Sequence, residues 1–241
     1  MTRQHAAYDY DVLAAGYYDA IFHRRRGIQS KWHHLKFDRF RHQLGQFSNH
    51  LDIGCGPGTL IGSLGGVGHS TGVDIAKSQI DFANHAYPAA NRTFRTIEPG
   101  PLPFDDDSFD VVTLVELIEH LEDDALAVLL GEARRVLAPG GRLLVSTPNY
   151  GSLWPLVEAL VNRLGAVSYA DQHINHFTRA RLEKLLIETG VYPVEVSCYM
   201  FAAPFAAVAG WGFSDLIKRL EPDWLVDRAG LLLFGMGVKE R

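Results

Sequence analysis

Short apolar runs alternate with helix-length amphipathic segments along most of this chain. His50-Leu51-Asp52-Ile53-Gly54 precedes a predicted helix from about Gly58, and Ser70-Thr71-Gly72-Val73-Asp74-Ile75 precedes one over Ala76–His85. A third run, Arg92–Glu98, leads into a turn; a fourth, Phe109–Val115, leads toward a helix over Asp123–Leu137; a fifth is Gly141–Pro148. Such alternation is the pattern of an α/β fold, a doubly wound, mostly parallel sheet with helices on both faces. Pro139-Gly140-Gly141 ends the helix before the fifth strand, and Thr178 is placed to cap one running to Gly190. Ahead of the alternation, from about Tyr8 to Leu44, the period is helical, with Leu35, Phe37, Phe40 and Leu44 on one face and Lys36, Asp38, Arg39 and Arg41 elsewhere. After Gly190, Val191–Phe201 and Ala229–Lys239 read as an antiparallel pair of strands that needs no regular helix between them, Ser214–Glu221 being at most a short one. The expected organisation is one domain over 1–241: a helical preface (1–46), then an α/β core (47–241) with an apolar insertion at 150–172.

Composition narrows the function classes. With 241 residues, 47% hydrophobic, the chain can bury the core of one α/β domain. Its 23 basic and 28 acidic residues leave a net charge of −5, which gives no general attraction to nucleic acid or anionic lipid; the densest basic cluster is His23-Arg24-Arg25-Arg26. Cys55 and Cys198 form no disulfide framework, and the polar start MTRQHAAYDYD lacks a secretion signal, so the expected compartment is the cytoplasm. Ser197–Ser214 is uncharged but short for a membrane span and broken by Pro204, Gly210 and Gly212. It reads as a buried connection, the alternatives being a greasy substrate wall or a membrane-surface contact.

The most informative segment is Leu51-Asp52-Ile53-Gly54-Cys55-Gly56-Pro57-Gly58-Thr59, a strand that bends through glycines into a helix start. Glycine lets the backbone approach a ligand closely and adopt positive φ. Asp74 ends the next strand 20 residues after Gly54, where a carboxylate accepts hydrogen bonds from ribose hydroxyls. A nicotinamide dinucleotide is the competing ligand. Against it, Thr59 stands where that fingerprint has its third small residue, and Asp52 would repel a pyrophosphate. An acid there suits a ligand with an ammonium or sulfonium charge.

Taken together, LDIGCGPGT, Asp74, LPFDDDSFDVV and RVLAPGGRLLVSTPN resemble the class I S-adenosylmethionine-dependent methyltransferases, over roughly Asn49 to Gly190. The resemblance implies a Rossmann-like seven-stranded sheet with an antiparallel last strand. It places Asp52, Gly54 and Gly56 at the methionine part of the donor, Asp74 at the ribose and Ile75 against the adenine, with Cys55 and Val115 among the donor contacts. Glu98 takes the position of an acid or amide near the adenine amino group, although EPGPLPF departs from the family there by two extra prolines.

Methyl transfer chiefly needs the acceptor lined up behind the methyl group, with a base added when the acceptor is a hydroxyl. Glu116, Glu119 and His120 are spaced i, i+3, i+4, so one helical turn would project all three from one side as a divalent-metal half-site. His173 and His176 are the candidate further ligands. This arrangement resembles two metal-using branches of the family, the ubiquinone-biosynthesis O-methyltransferases and the small-RNA 2′-O-methyltransferases; the second also has a counterpart of Thr147-Pro148-Asn149 and sets His173 among the metal ligands. With a metal such as magnesium at Glu116, Glu119, His120 and His173, the ion would lower the pKa of the attacking hydroxyl. Without one, His120, His173 or His176 is the general base, or any of them is an ordinary loop histidine. The 150–172 insertion is either a lid on the acceptor side or a packed helix, and Tyr17, Tyr18 and Trp32 either close the donor pocket or belong to the core. The expected activity is O-methylation of a small or lipid-like acceptor, with Trp154, Phe201, Phe205 and Trp211 as candidate pocket walls. RNA or sugar methylation, or a non-catalytic donor-binding role, are the alternatives.

Overall fold

The computed structural model describes residues 14–66, 68–164 and 172–240. Seven strands, β1 (Asn49–Ile53), β2 (His69–Asp74), β3 (Arg92–Thr96), β4 (Phe109–Val115), β5 (Leu137–Pro148), β6 (Val191–Tyr199) and β7 (Leu232–Lys239), form one sheet in the order β3-β2-β1-β4-β5-β7-β6. The first five run parallel, and β7 is antiparallel to both β5 and β6. The central strands read as near-continuous apolar runs because both faces are covered. On one face α5 (Asp123–Val136) and α7 (Arg179–Glu188) bring Leu126, Leu130, Leu182 and Leu186 onto Leu51, Val112 and Leu143. The carboxylates of Asp123 and Asp124 open α5 and Arg134 and Arg135 close it, each favourable to the helix dipole. Thr178 caps α7 by accepting the Arg181 N–H.

The opposite face departs from expectation. The preface is two helices, α1 (Tyr17–Arg24) and α2 (Gly27–Leu44), broken at Arg25, whose φ is 52°; residues 8–13 of the predicted helix lie outside the described residues. Phe37, Phe40 and Leu44 of α2 pack on Val111, Leu144 and Phe234, so the preface is one of the layers covering the sheet. The helix expected from Gly58 is a single turn, α3 (Thr59–Gly62), followed by α4 (Lys77–Ala86) after β2. The 150–172 insertion carries α6 (Trp154–Leu164), while residues 165–171 lie outside the described residues.

The link between β6 and β7 is helical, where sequence patterning required no helix. It holds α8 (Ala203–Ala206), a 3-10 turn, α9 (Trp211–Leu220) and α10 (Asp223–Ala229). Small residues let it hug the core: Ala203 and Ala207 are buried, and the Ser214 hydroxyl donates to the Ala203 carbonyl at 2.5 Å. The Ser197–Ser214 stretch is therefore buried only in part, since Phe205, Val208 and Phe213 are exposed. No helix among the described residues is long and apolar enough to cross a membrane.

Candidate active site

Parallel strands leave their carboxyl ends at one edge of the sheet, where ligands bind in such folds. There the glycine loop is tied to the end of β2: the N–H groups of Gly54 and Cys55 donate to the Val73 carbonyl (2.8 and 3.0 Å) and that of Gly56 to Asp74 Oδ2 (2.8 Å). Asp74 Oδ1 accepts from Ala76 N (2.9 Å), so its carboxylate is oriented by backbone from both sides. Gly58 sits at φ 74°, and a Cβ on it would lie 2.6 Å from Phe94. At Gly56, φ 49°, a Cβ would meet nothing within 4 Å. The first glycine packs the loop on the sheet and the second leaves backbone bare toward open space.

Asp52 is buried beneath the loop. His50 Nε2 lies 2.9 Å from the Thr113 hydroxyl, which donates to Asp52 Oδ1 at 2.5 Å; on its other side His50 Nδ1 meets Ser70 Oγ at 3.2 Å. Because Ser70 and Thr113 sit on strands flanking β1, the sheet builds a directed relay, His50 to Thr113 to Asp52. Burial drives the His50 imidazole down to about 3, so it stays neutral. Burial likewise pushes Asp52 up to about 7, opposed by the Thr113 hydrogen bond and reinforced by the Asp74 charge.

Beyond β4 the single helical turn expected for Glu116, Glu119 and His120 does not form. Glu116 has φ 50°, and a 3-10 turn begins only at Ile118. Glu116 instead pairs with the buried ammonium of Lys36, contributed by α2. Glu119 is 1% exposed, and neither of its carboxylate oxygens has a hydrogen-bond partner. Burial, then the charge of Glu116, raises it to about 8, so it is mostly neutral at pH 7. One ligand atom each from Glu119, His120 and His173 lies within 4.8 Å of the others, and the two imidazoles are 5.1 Å apart. His120 Nδ1 donates to the Gln172 carbonyl (2.9 Å), which leaves the lone pair on Nε2; burial lowers its pKa to about 4. His173 Nδ1 meets Glu158 of α6 at 2.5 Å and Tyr150 Oη at 3.0 Å. Burial lowers its pKa, with Glu158 opposing.

One cavity of about 760 Å³, within the size range of small-molecule sites, joins both halves. Asp52, Gly54, Cys55, Gly56, Asp74, Ile75, Glu98 and Val115, the residues expected at the donor, all line it, and so do Glu116, Glu119, His120 and His173. Tyr17, Tyr18 and Trp32 of the preface contribute to its wall, as do Trp154, Val157 and Val161 of α6 and Phe205 of α8. His176 is the exception: it is exposed, outside the lining, and stacked on Tyr150 at 4.0 Å. Phe201 and Trp211, both expected as walls, are also absent from the lining.

Residues 51–145 match the family model described as a methyltransferase domain. The chain carries a class I S-adenosylmethionine-dependent methyltransferase domain. A Mycolicibacterium smegmatis protein described as a probable S-adenosylmethionine-dependent methyltransferase is 31% identical over 170 residues, 70% of this chain and 61% of that protein. A ubiquinone biosynthesis O-methyltransferase of Coxiella burnetii is 37% identical over 102 residues, 41% of this chain and 43% of that protein. These alignments span less than two thirds of the relatives' own lengths. A crystal structure of a Thermotoga maritima S-adenosylmethionine-dependent methyltransferase has the same fold, with a TM-score of 0.68 at 19% identity, covering 92% of this chain and 94% of that one.

The donor half of this domain suits S-adenosylmethionine on its own geometry. Open backbone at Gly56, the oriented Asp74 carboxylate and half-exposed Ile75 offer room, a ribose acceptor and an apolar adenine contact in sequence order. The acceptor half also suits a divalent cation, since Glu119 presents two unpartnered carboxylate oxygens beside two imidazoles. Sequence reasoning missed Lys36, His50, Thr113 and Glu158. Lys36 was assigned to the polar side of its helix, and no spacing rule links residues 36 and 116.

Two predictions arise here. Lys36→Met leaves Glu116 without its cation in a half-buried position, which lowers stability by about 3 kcal/mol; Lys36→Met/Glu116→Gln recovers most of it in urea unfolding. Glu119 governs a pH dependence. From its ordinary value of 4.5 up to about 8 the folded chain holds a proton that the unfolded chain has released, so this group costs progressively more stability as pH rises. Glu119→Gln removes that cost, and in EDTA its melting temperature gains on the parent steadily across this window. A constant difference would mean that Glu119 is ionised in the fold.

Proposed function

We propose that this protein is an S-adenosylmethionine-dependent O-methyltransferase of a small or lipid-like acceptor, working as one domain over 1–241 in the cytoplasm, where its two buried thiols stay reduced. The observation that carries the reading is the placement of His120 and His173 on the wall of the same cavity that Asp52, Gly54 and Asp74 line. S-adenosylmethionine supplies an electrophilic methyl group on a sulfonium when bound. Asp74 accepts from the ribose, and Asp52, held by Thr113, faces the positive end of the donor. His120 Nε2, kept unprotonated by burial, accepts the acceptor's hydroxyl proton; Glu158 and Tyr150 hold the His173 ring beside it. Trp154 and α6 shield the site from water, and the apolar wall favours a greasy acceptor. The likeness to a ubiquinone biosynthesis O-methyltransferase supports oxygen as the methylated atom.

A second reading of the same cluster is favoured by the unpartnered Glu119 carboxylate. Glu119, His120 and His173 would hold a divalent cation such as magnesium, which supplies Lewis acidity toward the acceptor oxygen. Glu116, engaged by Lys36, would join only after leaving that pair. The test uses S-adenosylmethionine with a labelled methyl group against phenols with and without long alkyl tails, sugars and RNA oligomers, in EDTA or magnesium. Label in a phenol supports the reading, and dependence on magnesium selects the metal. Label only in RNA or sugar, or donor binding without transfer to any acceptor, would overturn it.

A further inference from the structure

The α8–α10 segment is amphipathic in an unusual sense: its outward face is apolar. On α9, Ser214 is fully buried and Ile217 packs into the core, while Phe213, Leu216 and Leu220, spaced i, i+3, i+7, line the solvent side. Trp224 of α10, 70% exposed, continues the stripe, and Val208, 76% exposed, precedes it. Removing such a stripe from water is favourable in proportion to the apolar area covered. A run of this kind on a soluble surface marks a contact site.

Charge indicates what covers it. The acids of the segment are mostly engaged: Asp215 pairs with Lys31, Asp227 with Arg179, and Glu221 accepts from the N–H groups of Ala202 and Ala203. Asp223, in the first turn of α10, is the one acid of the segment without such a contact among the described residues. Lys218, Arg219 and Arg228 are exposed and enter no ion pair among the described residues. The Arg24-Arg25-Arg26 cluster joins them, because the Arg25 guanidinium lies over the Trp211 ring at the start of α9, 5.5 Å from its centroid. Beside that ring is an open hollow of about 500 Å³ whose lining includes Arg25 together with two ion pairs, Lys31–Asp215 and Arg41–Asp38, so Arg25 is its cation without a carboxylate partner among the described residues. An apolar stripe flanked by unmatched cations, with an interfacial tryptophan, is the pattern of a helix lying in the plane of an anionic bilayer surface.

We propose that α9 and α10 dock this protein on anionic membrane surfaces, the stripe Phe213, Leu216, Leu220 and Trp224 entering the acyl boundary and the arginines meeting lipid phosphates. Phe205 belongs both to the exposed apolar set and to the cavity wall, so the docked face adjoins the active-site cavity. An acceptor dissolved in the bilayer thereby reaches the cavity along an apolar path. The docking itself does not rest on the acceptor's identity, because it is read without methyl transfer.

The experiment is sedimentation of the full chain with vesicles of phosphatidylcholine alone or mixed with phosphatidylglycerol. The protein pellets with the mixed vesicles, less so as salt rises, and Leu216→Glu/Trp224→Glu weakens partitioning about ten-fold. Arg24→Gln/Arg25→Gln/Arg26→Gln removes most of the salt dependence. S-adenosylmethionine affinity by calorimetry stays unchanged in both variants, which establishes that they fold. No binding to either vesicle, or equal binding by Leu216→Glu/Trp224→Glu, would overturn the proposal. So would a dimer in sedimentation velocity that this variant converts to monomer, since a second copy would then cover the stripe.

Discussion

Asp74→Ala weakens S-adenosylmethionine binding about 100-fold, measured by calorimetry, with the fold retained. The carboxylate does two jobs at once. It accepts from the Gly56 and Ala76 N–H groups, and thereby sets the loop against β2; in the proposed donor site it also accepts from the ribose. Hydrogen bonds to a charged group contribute roughly 1.5–3 kcal/mol each, so losing the ribose contact and loosening the loop together account for a two-decade loss. Asp74→Asn keeps one acceptor oxygen and retains part of the affinity. The strand itself is held by ladder pairing from His69 to Asp74, hence the melting temperature without ligand changes little. Unchanged donor affinity in Asp74→Ala would sink the assignment of the donor half.

His120→Ala lowers kcat by a factor on the order of 10²–10⁴, the usual contribution of a positioned base, while donor affinity holds. The pH profile carries the sign. Burial puts the His120 pKa at about 4, so the base is already neutral at ordinary pH and its own limb in kcat appears only as pH falls toward that value. An acid limb centred near the ordinary imidazole value of 6.5 would assign proton transfer to another group. Manganese binding separates the two readings of the cluster. If His120→Ala abolishes binding of the ion together with activity, the imidazole serves as ligand; if the parent binds none, it serves as base.

How far the sequence reached depends on the range of the interaction involved. The helix–strand alternation, the glycine loop and Asp74 were legible because each depends on neighbours a few residues away: a period, a bend, a strand end. Glu119, His120 and His173 were nominated by residue type, and they do converge, but the regular turn expected to carry Glu116 with them is absent. Lys36 reaches in from α2 and takes that carboxylate, while the chain at Glu116 turns through positive φ. His176 directly follows Ile174 and Asn175, whose N–H groups donate to the Glu119 carbonyl, yet its ring stacks instead on that of Tyr150.

The helices between β6 and β7 escaped because their outward face is apolar, which blurs the polar–apolar contrast that periodicity needs. The relay from His50 through Thr113 to Asp52 escaped for another reason. Asp52 and Thr113 are register partners on adjacent parallel strands, 61 residues apart in the chain. Local chemistry, written within a few residues of the glycine loop and along the strand–helix alternation, determined the fold class from sequence alone and nominated Asp52, Gly54, Gly56 and Asp74, which line one cavity. Which carboxylates are neutral, which cation each one meets and where the exposed apolar face lies were decided by tertiary structure, because burial and long-range pairing, rather than residue type, set the free energy of a charge.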